Sequence, residues 1–170
     1  MDRADRKDAE GTAAYADEAD RAIGAPREDA AGGGVAYRLD DQIGFLLRQA
    51  MQRHTAIFAA RMPGDLTPMQ FAALARLRET GAASQNELGR LTAMDVATIK
   101  GVVDRLRARG LVTSARDAGD RRRIVVCLTE AGRALVEEAV VAGLAISAET
   151  AAPLAPGEAA ELRRLLAKIG

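Results

Sequence analysis

Three consecutive arginines, Arg121 to Arg123, follow Asp120 in the segment DAGDRRRIVVCLTEAGR, residues 117–133. Guanidinium groups keep their charge and bind phosphate oxygens in a planar, bidentate geometry. A neighbouring carboxylate can pair with one guanidinium and hold the turn so that another points outward. These residue types therefore indicate binding of a polyanion, although a charge cluster taken alone is also typical of a solvated surface turn.

The residues on both sides of the arginines predict a β-hairpin with the arginines at its tip. LVTSA, residues 111–115, and IVVCL, residues 124–128, are rich in β-branched side chains, and RDAGDRRR supplies the turn between them. An arginine at such a tip can enter the minor groove of a DNA duplex, where phosphates on both sides concentrate negative potential. The hairpin therefore predicts a contact with double-stranded DNA.

A short helix is predicted before the hairpin, in the segment SQNELGRL. Ser84 and Glu87 have the S-x-x-E spacing of a capping box, in which the first side chain accepts a hydrogen bond from the backbone of the second. Leu88 and Leu91 are expected to face inward. The first helix of a helix-turn-helix is typically of this kind.

A second helix follows after only a few residues. Thr92, with Asp95 three positions later, offers another cap, and the helical period ends at Arg109-Gly110. Its apolar positions are Val96, Ile99, Val102, Val103 and Leu106. Two capped helices in tandem, followed by a basic hairpin, predict a winged helix-turn-helix.

The second helix carries the candidate base-reading residues. Thr98 can contact a thymine methyl group or donate a hydrogen bond, and Lys100 can reach guanine or phosphate. Arg105 is expected to pair with Asp104 or a phosphate. Gly101 costs about 1 kcal/mol of helix propensity, so we expect close approach of the backbone to DNA or to another helix. The full set of candidate DNA-binding residues is Ser84, Gln85, Thr98, Lys100, Gly101, Arg105, Asp120, Arg121, Arg122 and Arg123.

The flanking segments predict a mainly α fold with a small β-hairpin wing. Apolar residues follow the helical period from Leu39 through Ala60, Thr67-Pro68 predicts the start of another helix, and Thr129 is expected to begin a long one. A last helix has Leu162, Leu165, Leu166 and Ile169 on one face. The predicted organisation is an acidic flexible arm over 1–36, a dimerisation helix over 37–62, the DNA-binding domain over 66–129 and C-terminal dimerisation helices over 130–170.

Composition limits the classes of function. The 170 residues carry no net charge, but residues 1–36 contain 5 basic and 9 acidic residues, whereas residues 95–123 contain 8 basic and 4 acidic ones. Positive charge is therefore local, as a binding face requires. The N-terminal segment has no signal-peptide core and no apolar run approaches the roughly 20 residues of a membrane span, so we expect a cytoplasmic protein without membrane contact.

Residue composition argues against an enzyme and leaves two alternative classes of DNA-binding protein. With one histidine, no glycine-rich phosphate loop, no HExxH and no Cys/His cluster, we expect neither an enzyme nor a bound metal or cofactor. Cys127 is expected in the core by strand alternation, and the alternative is a peroxide-sensing thiol in a redox-responsive regulator. A nonspecific architectural DNA-binding protein is the other alternative, although that class usually has a strong overall positive charge.

TIKGVVDRLRARGLV, residues 98–112, followed by DAGDRRRIVVCLTEAGR, resembles the MarR family of winged-helix regulators, and the resemblance extends from Leu39 to Ile169. It implies that Arg122 is the wing arginine and Asp120 its partner. It also implies a homodimer built by the first and last helices, with the recognition helices in successive major grooves of a near-palindrome, about 10 base pairs apart.

A narrower resemblance is carried by LDDQIGFLLRQAMQRHTAIF, residues 39–58, and SQNELGRLTAMDVATIKGVVDRL, residues 84–106. Both are similar to repressors of nicotinate and other aromatic acid catabolism within that family. The resemblance implies a repressor with a cleft that accepts a small aromatic carboxylate, which releases the protein from DNA. The candidate effector residues are Arg48, Gln52, Arg53, His54, Met69, Gln70 and Phe71. For His54 alone, a satisfied core histidine is the alternative.

Overall fold

The computed structural model describes residues 37–116, 119, 120, 122 and 124–170. The predicted acidic arm over 1–36, and Arg121 and Arg123, lie outside the described residues. The helices are α1 Ile43–Arg61, α2 Pro68–Thr80, α3 Gln85–Leu91, α4 Val96–Ala108, α5 Glu130–Thr150 and α6 Pro156–Ile169, and the strands are β1 Ala82–Ala83, β2 Val112–Arg116 and β3 Ile124–Leu128.

The chain divides into two compact units, the first ending at Met51 and the second running from Gln52 to Gly170. In the first unit a 3-10 turn over Leu39–Asp41 precedes α1. The prediction of a helix without interruption from Leu39 was therefore wrong at its start. The reason is local, because Gln42 has an extended backbone conformation with φ −85 and ψ 125.

The core of the second unit lies where α2, α4, α5 and the sheet meet. Its largest fully buried side chains are Leu74, Leu77, Leu88, Ile99, Val102, Val103, Leu106, Val136 and Ile146. The apolar period of α4 predicted four of these, and burying each of them contributes about 1.5–3 kcal/mol relative to exposure. This packing fixes which face of α4 points outward.

Side-chain caps begin three of these helices as the sequence predicted. Thr67 and Gln70 form a reciprocal capping box at α2, with Pro68 in its first turn. The Ser84 hydroxyl accepts from the backbone N–H of Glu87 at 3.3 Å. The Thr129 hydroxyl accepts from the backbone N–H of Gly132 at 3.0 Å and so caps α5.

The predicted cap of α4 was assigned to the wrong residue. Asp95 is the N-cap, whereas Thr92 ends α3 and its hydroxyl donates to the carbonyl of Leu88 at 2.7 Å. Ala93 between them has a φ of 53, and this left-handed residue turns the chain between the two helices. Leu91 is 38% exposed at this turn, so the prediction that it faces inward was also wrong.

The sheet has the strand order β1-β3-β2, and both pairs are antiparallel. Val126 in the central strand pairs with Ala83 on one side and with Ser114 on the other. The predicted hairpin is confirmed, and so is the mainly α fold with a small β wing. The strand β1 was not predicted, because two residues are too short to show an alternating pattern.

Candidate nucleic-acid interface

Helix α4 presents a polar face opposite the core. Asp95 caps it, and four apolar residues at helical spacing, Ile99, Val102, Val103 and Leu106, are fully buried. Lys100, Asp104 and Arg105 are exposed on the outer side and Gly101 is half-buried there. The helix therefore carries basic side chains on a surface that a major groove could receive.

Thr98 is held by the cap of its own helix. The Asp95 carboxylate accepts from the backbone N–H of Thr98 at 2.8 Å and from its hydroxyl at 2.7 Å. The hydroxyl bond is the largest cause, and the backbone bond the next, of a lowered pKa for Asp95. Because the hydroxyl proton is committed to Asp95, the hydroxyl of Thr98 can only accept from a base, and the methyl group is its apolar contact surface.

Asp104 joins Lys100 to Arg107. Its carboxylate lies 3.2 Å from the Lys100 ammonium and 3.0 Å from the Arg107 guanidinium. Arg107 also donates to the Ser114 hydroxyl at 2.9 Å, which connects the outer face of α4 to β2. Of the two partners expected for Arg105, Asp104 is therefore not the one found, because Lys100 one turn earlier and Arg107 three residues later bind its carboxylate. A phosphate partner for Arg105 stays a prediction.

Arg105 instead lies over Gly101. A Cβ added at Gly101 would lie 3.3 Å from Nη1 of Arg105, and its three nearest heavy atoms would all belong to that guanidinium. A side chain of the same helix, and not a neighbouring helix, therefore occupies this position. Close approach of Gly101 to DNA stays a prediction.

The wing carries an outward-pointing arginine braced by an aspartate. Asp120 Oδ1 accepts from the backbone N–H of Arg122 at 3.0 Å and from its Nε at 3.4 Å. The Arg122 side chain is nevertheless 93% exposed. The structure therefore has the pairing of Asp120 with Arg122 that the sequence analysis expected, in a geometry that leaves the guanidinium accessible to a phosphate or a groove.

Two candidate DNA contacts, Ser84 and Gln85, lie at the start of α3. Val96, at the start of α4, is a further candidate that was not predicted from the sequence. Ser84 and Gln85 are half-buried at the start of α3, where Ser84 is the N-cap. Val96 was assigned to the buried stripe of α4 but is 67% exposed in its first turn. An exposed apolar side chain at this position can contact a thymine methyl group. The one sequence feature that could have indicated the exposure of Val96 is its position in the first turn, ahead of the packed part of the helix.

His54 joins α1 to the end of α5. Its Nδ1 lies 3.0 Å from the hydroxyl of Thr150, and that hydroxyl donates its proton to the carbonyl of Ile146 at 2.8 Å. The imidazole Nδ1–H must therefore be the donor to Thr150. The neutral ring then keeps Nε2 as an acceptor, and the charged ring has a second N–H donor there.

An aromatic row, here called the effector wall, consists of His54, Phe58 and Phe71. The ring centroids of His54 and Phe58 are 6.2 Å apart, and those of Phe58 and Phe71 are 6.1 Å apart. Phe58 was absent from the predicted site, although its position one turn after His54 is the signal that could have found it. The structure thus brings two of the predicted effector residues into one row.

The other predicted effector residues have separate surroundings. Arg53 donates to the backbone carbonyl of Glu149 at 3.1 Å, and Gln70 is buried and caps α2. Met69 and Gln52 are exposed. Arg48 belongs to the first unit, where its guanidinium lies 5.1 Å from the centre of the Phe45 ring.

Cys127 is half-buried in the central strand β3, where it pairs in register with Ala82 and Thr113. A redox role for it stays a prediction. Within the part of the chain that the structure describes, no group of three or more acidic, histidine or cysteine side chains is arranged to hold a metal ion. Over the same residues, no helix is long and apolar enough to cross a bilayer.

Comparison with known proteins identifies a matching family model and similar chains. The MarR family model matches residues 64–123. The chain is 45% identical over 134 residues to the HTH-type transcriptional repressor NicR of Pseudomonas putida, which covers 78% of this chain and 85% of that protein.

Two solved structures are similar in fold and sequence. A probable transcriptional regulator from Pseudomonas aeruginosa has 55% identity and a TM-score of 0.75, covering 78% of this chain and all of that one. BpsR of Bordetella bronchiseptica, described for the regulation of its DNA binding by 6-hydroxynicotinic acid, has 44% identity and a TM-score of 0.73, covering 79% and 96% of the two chains.

Proposed function

We propose, since this chain belongs to the MarR family of transcriptional regulators, that it is a homodimeric repressor that binds a near-palindromic operator and is released by a small aromatic acid. The observation that carries the DNA-binding part is the braced and exposed Arg122 of the wing, beside a helix α4 whose basic face points away from the core. Chromosomal DNA as the ligand also implies action in the cytoplasm.

Recognition would combine two kinds of contact. Lys100 and the methyl groups of Val96 and Thr98 are proposed to read base edges in the major groove. Arg122 would enter the adjacent minor groove, and Arg105 would bind a phosphate. Phosphate contacts position the protein without specifying sequence, whereas the base contacts of α4 specify it.

The apolar face of α6 supports a homodimer. No residue of this helix is buried in the single chain, and Leu162, Leu165 and Leu166 are each between 41% and 44% exposed. Exposed apolar area costs about 25 cal/mol per Å², and pairing with the same helix of a second copy about a two-fold axis would remove it. Two copies would also place two recognition helices on one near-palindromic operator.

The effector wall supports an aromatic acid as the ligand. The half-buried Phe71 offers an apolar surface with the buried Phe58 packed behind it, and Nε2 of a charged His54 offers a donor for a carboxylate. Arg53 and Met69 are neighbouring candidates on α1 and α2. Because the DNA binding of the similar BpsR is regulated by 6-hydroxynicotinic acid, this compound is the first acid to test.

The experiment titrates 6-hydroxynicotinic, nicotinic and benzoic acids against the protein bound to a fluorescent operator duplex. We expect at least one acid to weaken operator binding at least fivefold, within the usual range of allosteric coupling. Nicotinamide, which lacks the carboxylate, is the matched control and should have no effect. If no acid changes operator affinity at millimolar concentration, the effector proposal is wrong. The repressor proposal is tested separately, by whether the protein binds the operator without any acid.

A further inference from the structure

Arg109 leaves the end of the recognition helix and contacts a distant part of the chain. It is the C-cap residue of α4, with helical φ and ψ of −84 and 0. Its Nη2 donates to the backbone carbonyl of Gly64, and its Nη1 donates to Oε1 of Gln70 at 3.5 Å. The end of α4 is therefore connected to the turn that precedes α2 and to the first turn of α2.

Gln70 is the acceptor at which these two helices meet. Its side chain is only 5% exposed, and the same Oε1 accepts from the backbone N–H of Thr67 at 3.0 Å. Because this oxygen is buried, water does not readily replace a donor that is lost there. The bond between Arg109 and Gln70 therefore resists displacement of the first turn of α2. In the same way it resists displacement of the C-terminal end of α4.

The turn at Gly64 is also confined by α5. Gly64 has a φ of 66, and a Cβ added there would lie 2.9 Å from a methyl carbon of Leu135. Leu135 thus packs on one side of the turn while Arg109 binds its carbonyl. A shift of this turn must therefore be accompanied by a shift of Arg109 or of α5.

Phe71 extends this connection to the effector wall. It follows Gln70 directly in α2, and its ring lies 6.1 Å from that of Phe58. A Cβ added at Gly143 of α5 would lie 2.9 Å from Cζ of Phe71, so the ring has little free space on that side. A ligand that displaces Phe71 would therefore press on the first turn of α2.

We propose that Arg109 is a positioning residue that couples the effector wall to the recognition helix, an inference that rests on the proposed function. Helix α4 has 13 residues and is therefore about 20 Å long. Since Arg109 fixes its C-terminal end, a small rotation there displaces the base-reading N-terminal half by a larger distance. The acid alters operator affinity by favouring one arrangement of this contact over another.

The test compares the parent protein with Arg109→Ala, Arg109→Lys and Arg90→Ala. Two quantities are measured by calorimetry and fluorescence anisotropy, namely the Kd of 6-hydroxynicotinic acid for the protein without DNA and the ratio of operator Kd values with and without the acid. Arg90, exposed on α3, is the control for loss of one positive charge from the same domain.

We expect Arg109→Ala to bind the acid within about twofold of the parent while the operator Kd ratio falls from at least fivefold to below about twofold. Arg109→Lys should give an intermediate ratio. Lysine keeps the positive charge, but its ammonium lacks the planar arrangement of N–H groups with which the guanidinium donates to two acceptors at once. Arg90→Ala should keep the parent ratio.

Four results would overturn this inference. A parent-like ratio in Arg109→Ala, with only a lower Tm or weaker operator binding, would mean a structural role. Loss of acid binding would place Arg109 within the site itself. A ratio of one for the parent protein with every acid would refute the effector proposal as well, and this failure is visible without any variant. If Arg109→Ala does not fold, the ratio of Arg109→Lys decides alone, and a parent-like value contradicts the coupling.

Discussion

The carboxylate of Asp95 accepts both the backbone N–H and the hydroxyl of Thr98, at 2.8 Å and 2.7 Å. A residue that begins the recognition helix therefore also determines which atoms of Thr98 face outward. The hydroxyl proton is directed to the cap, and the methyl group is the apolar part that can contact a base. This division separates the structural role of Thr98 from its proposed role in readout.

Two single substitutions test that division. Thr98→Ser keeps the hydroxyl and removes the methyl group, so we expect reduced preference for thymine at one operator position by about 1 kcal/mol, close to the value of one buried methyl. Thr98→Val keeps a methyl and removes the hydroxyl, so we expect a lower Tm with unchanged sequence preference. Competition with operators altered at single base pairs measures both, and a uniform loss of Thr98→Ser on all sequences would contradict the readout.

Arg122→Ala is expected to weaken binding to all DNA sequences. Loss of one phosphate-neutralising side chain should lower the slope of log K against log salt by about 1. Arg163→Ala, in the exposed helix α6, removes the same charge away from the wing and is the control. Anisotropy titrations at four salt concentrations give the slopes. Equal slopes for Arg122→Ala and the parent would show that Arg122 makes no phosphate or groove contact.

Asp120→Asn gives a test whose sign distinguishes two effects. If Asp120 acted on DNA only through its negative charge, its removal would strengthen binding. We expect weaker binding instead, because the carboxylate orients Arg122 through contacts at 3.0 Å and 3.4 Å and a neutral amide holds a guanidinium less well. Operator affinity at fixed salt is the measurement, and an increase would refute the bracing role.

A double substitution, Leu162→Glu with Leu166→Glu, is expected to abolish the proposed homodimer. The two introduced carboxylates would have to be buried at the proposed interface, and unpaired buried charges are strongly unfavourable. We therefore expect monomers in analytical ultracentrifugation and at least a hundredfold loss of operator affinity, since each copy would bind one half-site. Arg163→Glu on the same helix is the control for added negative charge. Dimers in the double variant would place the interface elsewhere.

Gly132→Ala is expected to destabilise the fold strongly. A Cβ at this position in the first turn of α5 would lie 1.9 Å from the backbone carbonyl oxygen of Leu111. Overpacking against backbone costs about 1–3 kcal/mol and sometimes more, because α5 and the start of β2 must separate. The control is Gly157→Ala in the first turn of α6, where nothing lies within 4 Å. A thermal melt of Gly132→Ala that matches the control would contradict the close contact.

Local signals in the sequence predicted the helices and the hairpin well. The caps at Thr67, Ser84 and Thr129 each depend on a hydrogen bond to a residue three positions later, so residue types and spacing suffice to recognise them. The buried stripe of α4 follows in the same way from a 3.6-residue period. At α4 the spacing of Thr92 and Asp95 predicted Thr92 as the cap, and this was wrong, since the turn between the two residues depends on the backbone of Ala93.

The winged helix-turn-helix, the basic residues of its wing and the family could all be predicted from the sequence. Only the packed structure shows which groups distant in the chain meet. Arg109 reaches Gly64 and Gln70, although many other arginines were available. The physical reason is distance in space: caps and periods are set within one or two turns of chain, whereas an ion pair or a buried hydrogen bond between residues 39 or 45 positions apart exists only after the helices have packed.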